Sequence, residues 1–185
     1  YLQKFQIKDV VFLAIMSAVA LATCAVMPLV ISLQPLIFGI SQLVTALQIG
    51  VFFAIGLYKV RKPGSLLIMA LMMGLIQLMM SPPMFLSSVL NGVLIELIVL
   101  LLFRGYEKDG AVFCAAMLHT PLSLPFNYLY NRLIKGADSP LAAVADRAPL
   151  AAVGMTLAVV AVSALGALIG IKIARELKKS GVLKK

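Results

Sequence analysis

The chain has 185 residues, 62% of them hydrophobic and 12% charged, with no Trp. This composition excludes an ordinary soluble domain and points to an integral membrane protein with no sizeable soluble part. A net charge of +9 would suggest nucleic acid in a soluble protein, but the basic residues sit in short connections and at the ends, the pattern of membrane topology.

Crossing a bilayer takes about 20 apolar helical residues. Six segments qualify: 9–33, 35–58, 64–81, 83–104, 110–134 and 148–172. In the first, Ala14, Ala18 and Ala22 recur every four residues, with Ser17 and Thr23 nearby, a flat strip where another helix can approach closely. "LATC", ending at Cys24, has Thr23 where a lipoprotein site needs a smaller residue. The apolar spans that follow also argue against a cleaved signal peptide. Cys24 and Cys114 show no metal-ligand spacing.

Gln34-Pro35 opens the second span and Lys62-Pro63-Gly64 the third, which places Gln77 on a face with Met69, Met73 and Met80. Pro82-Pro83 opens the fourth. There Ser88, Asn91, Gly92 and Glu96 share an arc of roughly 140° at 100° per residue. Asp109-Gly110 opens the fifth, where His119, Thr120, Ser123, Asn127, Tyr130 and Asn131 share an arc of roughly 120°. Pro121 and Pro125 lack the N–H that a helix donates, which frees the carbonyls of Met117 and Pro121. Residues 135–148, "KGADSPLAAVADRA", form the one connection long enough for a structured external loop. The sixth span follows Ala148-Pro149 and has a smooth face at Gly166 and Gly170.

With both termini on one side, that side carries thirteen Lys and Arg residues and the other carries Arg132, Lys135 and Arg147. The asymmetry predicts cytoplasmic termini. Polar stripes on spans 3, 4 and 5 face the bundle interior or a cavity rather than lipid. Most of these polar groups lie in the outer half, so an outward-opening pocket is expected. Glu96 raises a specific question, because a carboxylate at that depth costs several kcal/mol unless it is paired. Counting 1.5 Å of rise per residue puts Glu96 and His119 at one level, about 12–14 Å from the basic side. If spans 4 and 5 are neighbours, a Glu96–His119 hydrogen bond is expected, the alternative being that Glu96 meets a cationic or hydrogen-bond-donating substrate.

There is no GxxxxGK[ST] phosphate loop, no HExxH and no Gly-x-Ser-x-Gly elbow. An ATP motor would have to reside in another chain, and no catalytic residues, metal or cofactor are expected.

Six short spans, "AIMSAVALA" (14–22), "RKPG" (61–64) and "NGVLIE" (91–96), in that order, resemble an S component of an energy-coupling factor transporter. These are the substrate-capturing membrane subunits of bacterial vitamin importers. The "RKPG" and the span 4 Glu look most like the thiamine and hydroxymethylpyrimidine group. The resemblance implies an S-component-like six-helix bundle in the bacterial cytoplasmic membrane. It implies that Ala14, Ala18 and Ala22 face a transmembrane coupling subunit that works with two ATPases. It also implies an external pocket from spans 4 to 6 and neighbouring loops. The Trp that often stacks on vitamin rings is missing, which leaves Phe126, Tyr128 and Tyr130 as substitutes. Substrate-facing candidates are therefore Gln77, Met80, Met84, Ser88, Asn91, Glu96, His119, Ser123, Asn127, Tyr128, Tyr130 and Asn131. A thiamine-like cation suits Glu96, whereas haem or another tetrapyrrole suits the Met wall with His119 and the tyrosines. A solitary secondary permease, or a membrane enzyme or assembly factor, are the other classes in view.

Overall fold

The computed structural model describes residues 4–24, 29–30, 32, 36–37, 39–136 and 138–183. Among them all regular structure is helical: α1 (Ile7–Thr23), α2 (Ile40–Lys59), α3 (Ser65–Leu78), α4 (Pro82–Phe103), α5 (Asp109–Ile134), α6 (Pro140–Arg147) and α7 (Pro149–Lys179). Local chemistry sets most boundaries. At α1 the Asp9 carboxylate accepts the Gln6 backbone N–H at 3.1 Å, satisfying a donor the helix cannot. Gly64 precedes α3 at φ +93°, a conformation that side chains resist. Proline opens α4, α6 and α7, where its missing N–H costs nothing.

The expected spans map onto these helices with three corrections. The first ends at Thr23 and not near 33; residues 25–28, 31 and 33–35, including the Gln34-Pro35 opening, lie outside the described residues. The second starts at Ile40 rather than 35, with Gly39 at φ +73° as the residue that caps it. The third is a 14-residue helix, about 21 Å long, shorter than a hydrocarbon core of roughly 30 Å. Helices α2, α4 and α7 are long and apolar enough to cross a membrane. At 31 residues, α7 reaches about 46 Å, so its last turns, with Arg175, Lys178 and Lys179, extend past the hydrocarbon. The 135–148 connection is structured, as expected. It holds α6, whose first turn is capped by Ser139 Oγ accepting the Ala142 N–H at 3.3 Å.

Helix α2 is the hub, touching α1, α3, α5 and most extensively α7; α4 lies against α3 and α5. A Cβ on Gly170 would fall 2.5 Å from the Val51 carbonyl oxygen, and one on Gly166 2.6 Å from that of Leu47. The smooth face of α7 is therefore spent on contact with α2. The main core is built around Leu13, Phe53, Leu57, Leu66, Met69, Ile95, Val99 and Val112, from α1, α2, α3, α4 and α5. A smaller cluster of Ala46, Leu124 and Val159 joins α2, α5 and α7.

Helix α1 buries Leu13, Ser17 and Ala20. Ser17 Oγ donates to the Leu13 oxygen at 2.9 Å and the Met69 oxygen at 3.2 Å, tying α1 to α3. The opposite face carries exposed Ala18 and Ala22, half-buried Ala14, and Ile7, Val11 and Ile15, at least half exposed. These six positions share one arc of roughly 100°.

Candidate functional site

Glu96 is buried at 6% exposure, and both of its oxygens are engaged. Oε1 accepts the backbone N–H of Gly64 at 2.7 Å, and Oε2 accepts the Tyr106 hydroxyl at 2.8 Å. The first bond sets the carboxylate at the N-terminus of α3, where the helix dipole favours negative charge. Burial, and then the carboxylate beside it, push the Tyr106 phenol up, so it stays a proton donor. The expected bond to His119 is therefore replaced. Glu96 turns toward α3 and the α4–α5 connection, whereas the His119 ring lies against Phe53 of α2 at 4.4 Å between centroids.

This anchor belongs to a wider network at the basic end. Arg61 pairs with Asp109 at 2.6 Å, and Asp109 also holds Arg175 of α7. Lys62 pairs with Asp9 at 2.6 Å. Burial raises the pKa of Asp109, but the hydrogen bonds from Arg175 and Arg61 outweigh it and hold the carboxyl below the ordinary aspartate value. The "RKPG" segment thus clamps α1, α4 and α5 together, with Gly64 supplying the N–H that Glu96 needs.

Deeper between α4 and α5, Asn91 Nδ2 donates to the His119 carbonyl at 2.5 Å. Among the described residues, three buried side chains there keep atoms with no hydrogen-bond partner: Asn91 Oδ1, both His119 ring nitrogens and Thr120 Oγ1. Each residue is at most 5% exposed. A buried polar atom left unpaired costs about 1–3 kcal/mol, so Asn91, His119 and its neighbour Thr120 are residues that water or a ligand would stabilise.

The remaining candidates fall into separate groups. Ser88 donates to Gln77 Oε1 at 2.6 Å, joining α3 to α4. Met80 is exposed, and Met84 and Tyr130 are half-buried. Ser123 turns back to the Thr120 carbonyl at 2.5 Å, and Asn131 Nδ2 donates to the Asn127 carbonyl at 2.8 Å. Tyr128 donates to Asp146 of α6 at 2.8 Å, and Arg132 joins the same pair. Of the two carbonyls freed by proline, that of Met117 is taken by Ser163 Oγ of α7 at 2.8 Å. A cavity of about 580 Å³ lies at the basic end, and none of the twelve candidates lines it.

Sequence reasoning missed Tyr106 and Ser163. Tyr106 was visible as a hydroxyl in the short connection ten residues after Glu96. Ser163 is the buried hydroxyl on α7 that reaches α5, but nothing in the local sequence names its acceptor.

An all-helical bundle with long apolar helices, leucines facing outward and polar groups turned inward defines an integral membrane protein. The chain belongs to a family described as hypothetical bacterial integral membrane protein (Trep_Strep), whose model matches residues 7–179. No curated protein and no solved structure matches it.

Proposed function

We propose that the chain is the substrate-capturing subunit of an ATP-driven importer of the energy-coupling factor type. In this reading it crosses the bacterial cytoplasmic membrane six times with both termini cytoplasmic. It binds a vitamin or related small molecule and passes it to a transmembrane coupling subunit served by two ATPases, with no catalysis of its own. The observation that carries the reading is the uncovered face of α1. Ala14, Ala18 and Ala22 lie opposite the buried face, and among the described residues no helix buries them: Ala18 and Ala22 are exposed and Ala14 is half-buried. Small residues in such a row let a partner helix come close enough for dispersion contacts along its length.

The substrate contact best supported is the cluster of Asn91, His119 and Thr120, with Gln77, Ser88 and the α5 polar residues above it. That set offers donors and acceptors rather than a fixed charge, which suits a neutral, hydrogen-bonding molecule. Glu96 acts as a brace, since the chain's own donors occupy both of its oxygens.

The test is affinity capture after co-expression with the coupling subunit and ATPases of the source organism. The wild-type chain is expected to retain them, Ala18→Trp to lose them, and Leu101→Trp, on the exposed face of α4, to behave as wild type. Equal capture by all three, or by none, would remove the main support.

A further inference from the structure

We propose that the cavity at the basic end is a phosphate-recognising site, filled by the headgroup of an anionic phospholipid from the adjoining leaflet. The cavity, about 580 Å³, is walled by the start of α1, the α2–α3 connection and the end of α7. Its cations divide into two sets. Arg61 and Lys62 are neutralised by Asp109 and Asp9. Lys8, Lys59 and Lys178 line the same space with no carboxylate within ion-pair distance among the described residues. Two of these are held by rings instead: Lys59 lies 4.1 Å above Phe12, and Lys178 lies 5.9 Å from Tyr58. Cation–π contacts fix an ammonium in place without cancelling its charge. Three ammonium groups outside any ion pair, two of them held in place, around one concave space therefore call for an anion with several acceptor oxygens, and a phosphate diester matches.

The surroundings favour a lipid over a free phosphate compound. Ile7 lies between Gln6 and Lys8 of the cavity wall and is 85% exposed, and Val11 and Ile15 continue its apolar stripe along α1. A headgroup in the cavity would lay its acyl chains on that stripe. The proposal does not depend on the importer reading, since it needs only a chain embedded in a bilayer with this end at the interface.

The experiment is native mass spectrometry of the full chain in detergent, titrated with phosphatidylglycerol, phosphatidylcholine or inorganic phosphate. Phosphatidylglycerol is expected to bind about tenfold more tightly than phosphatidylcholine, and Lys8→Gln, Lys59→Gln and Lys178→Gln each to weaken it about fivefold. Lys108→Gln and Lys172→Gln, at the same end but outside the cavity wall, are expected to leave it unchanged. All five lysines are exposed, so melting temperatures should stay at the wild-type value and binding can be read directly. Inorganic phosphate binding as tightly as the lipid, with the same lysine dependence, would overturn the lipid assignment in favour of a soluble phosphate compound. Equal effects of all five substitutions, or no preference between the two lipids, would overturn the site.

Discussion

Replacing Glu96 by Leu and, separately, by Gln tests whether this carboxylate is an anchor. Leu leaves the Gly64 N–H and the Tyr106 hydroxyl without the acceptor each now has at 2.7 and 2.8 Å. Each buried orphan costs about 1–3 kcal/mol, and removing a buried carboxylate returns part of that, so the net loss is about 2–4 kcal/mol. Gln fits the same space. Its amide oxygen accepts from Gly64, and its NH2 donates to the phenol oxygen, so both bonds survive without charge assistance, a loss of about 1–2 kcal/mol. For a chain of this size each kcal/mol moves the melting temperature by about 2–4 °C. Thermal unfolding in detergent, followed by helix content, should therefore show Leu falling about 4–16 °C and Gln about half as far. Tyr106→Phe should fall at least as far as Gln, since it removes outright one of the two bonds that Gln keeps. Ligand affinity of the folded Gln variant should equal wild type. A Leu variant as stable as wild type, or a Gln variant that folds normally and loses ligand binding, would refute the anchor.

Asp109 has its pKa lowered in the fold, so its contribution is complete above the ordinary aspartate value and fades as pH falls through the lower folded value. Asp109→Asn should abolish that acid-side loss while lowering the neutral-pH melting temperature less than Glu96→Leu does; an unchanged acid limb would contradict the network. Ser163→Ala should cost about 0.6–1.7 kcal/mol, and less in a Pro121→Ala background, where the restored N–H can serve the Met117 carbonyl; a double-mutant cycle with no coupling would exclude the cap. Gly170→Ala, with its Cβ 2.5 Å from the Val51 oxygen, should destabilise by about 1–3 kcal/mol, whereas Gly154→Ala, with nothing within 4 Å, should be neutral or slightly stabilising in the same assay.

Helix starts with a chemical marker were legible before the structure: Pro82-Pro83, Asp109 and Pro149 each stand at or within one residue of the expected boundary. That the 135–148 segment is structured was also legible, because it is the one connection long enough to hold an element of its own; the Ser139 cap that starts α6 there was not foreseen. The start of α2 was not, since the apolar run continues through Gly39 and only the backbone there departs from helix. Glu96 shows the deeper limit. Rise per residue gave its depth and periodicity gave its face, but neither says which neighbour fills the space opposite. Its partners came from a backbone N–H and a connection residue, and a side-chain wheel displays neither. The Ser163 bond fails for a related reason, because its acceptor lies 46 residues away and was exposed by a proline on another helix. The inward direction of Asn91, His119 and Thr120 was read correctly; that they would remain unpaired depends on packing details no periodicity contains.

The central claim is that this subunit binds substrate but moves it only with a separate motor. The direct measurement is uptake into liposomes of a small molecule captured by the chain from a vitamin and metabolite mixture, identified by mass and then supplied radiolabelled. The account predicts no accumulation by the chain alone, and ATP-dependent accumulation once the coupling subunit and ATPases are added, abolished by Ala18→Trp with binding intact. Uptake by the chain alone, driven by an ion or substrate gradient without ATP, would contradict it and make the protein a solitary permease.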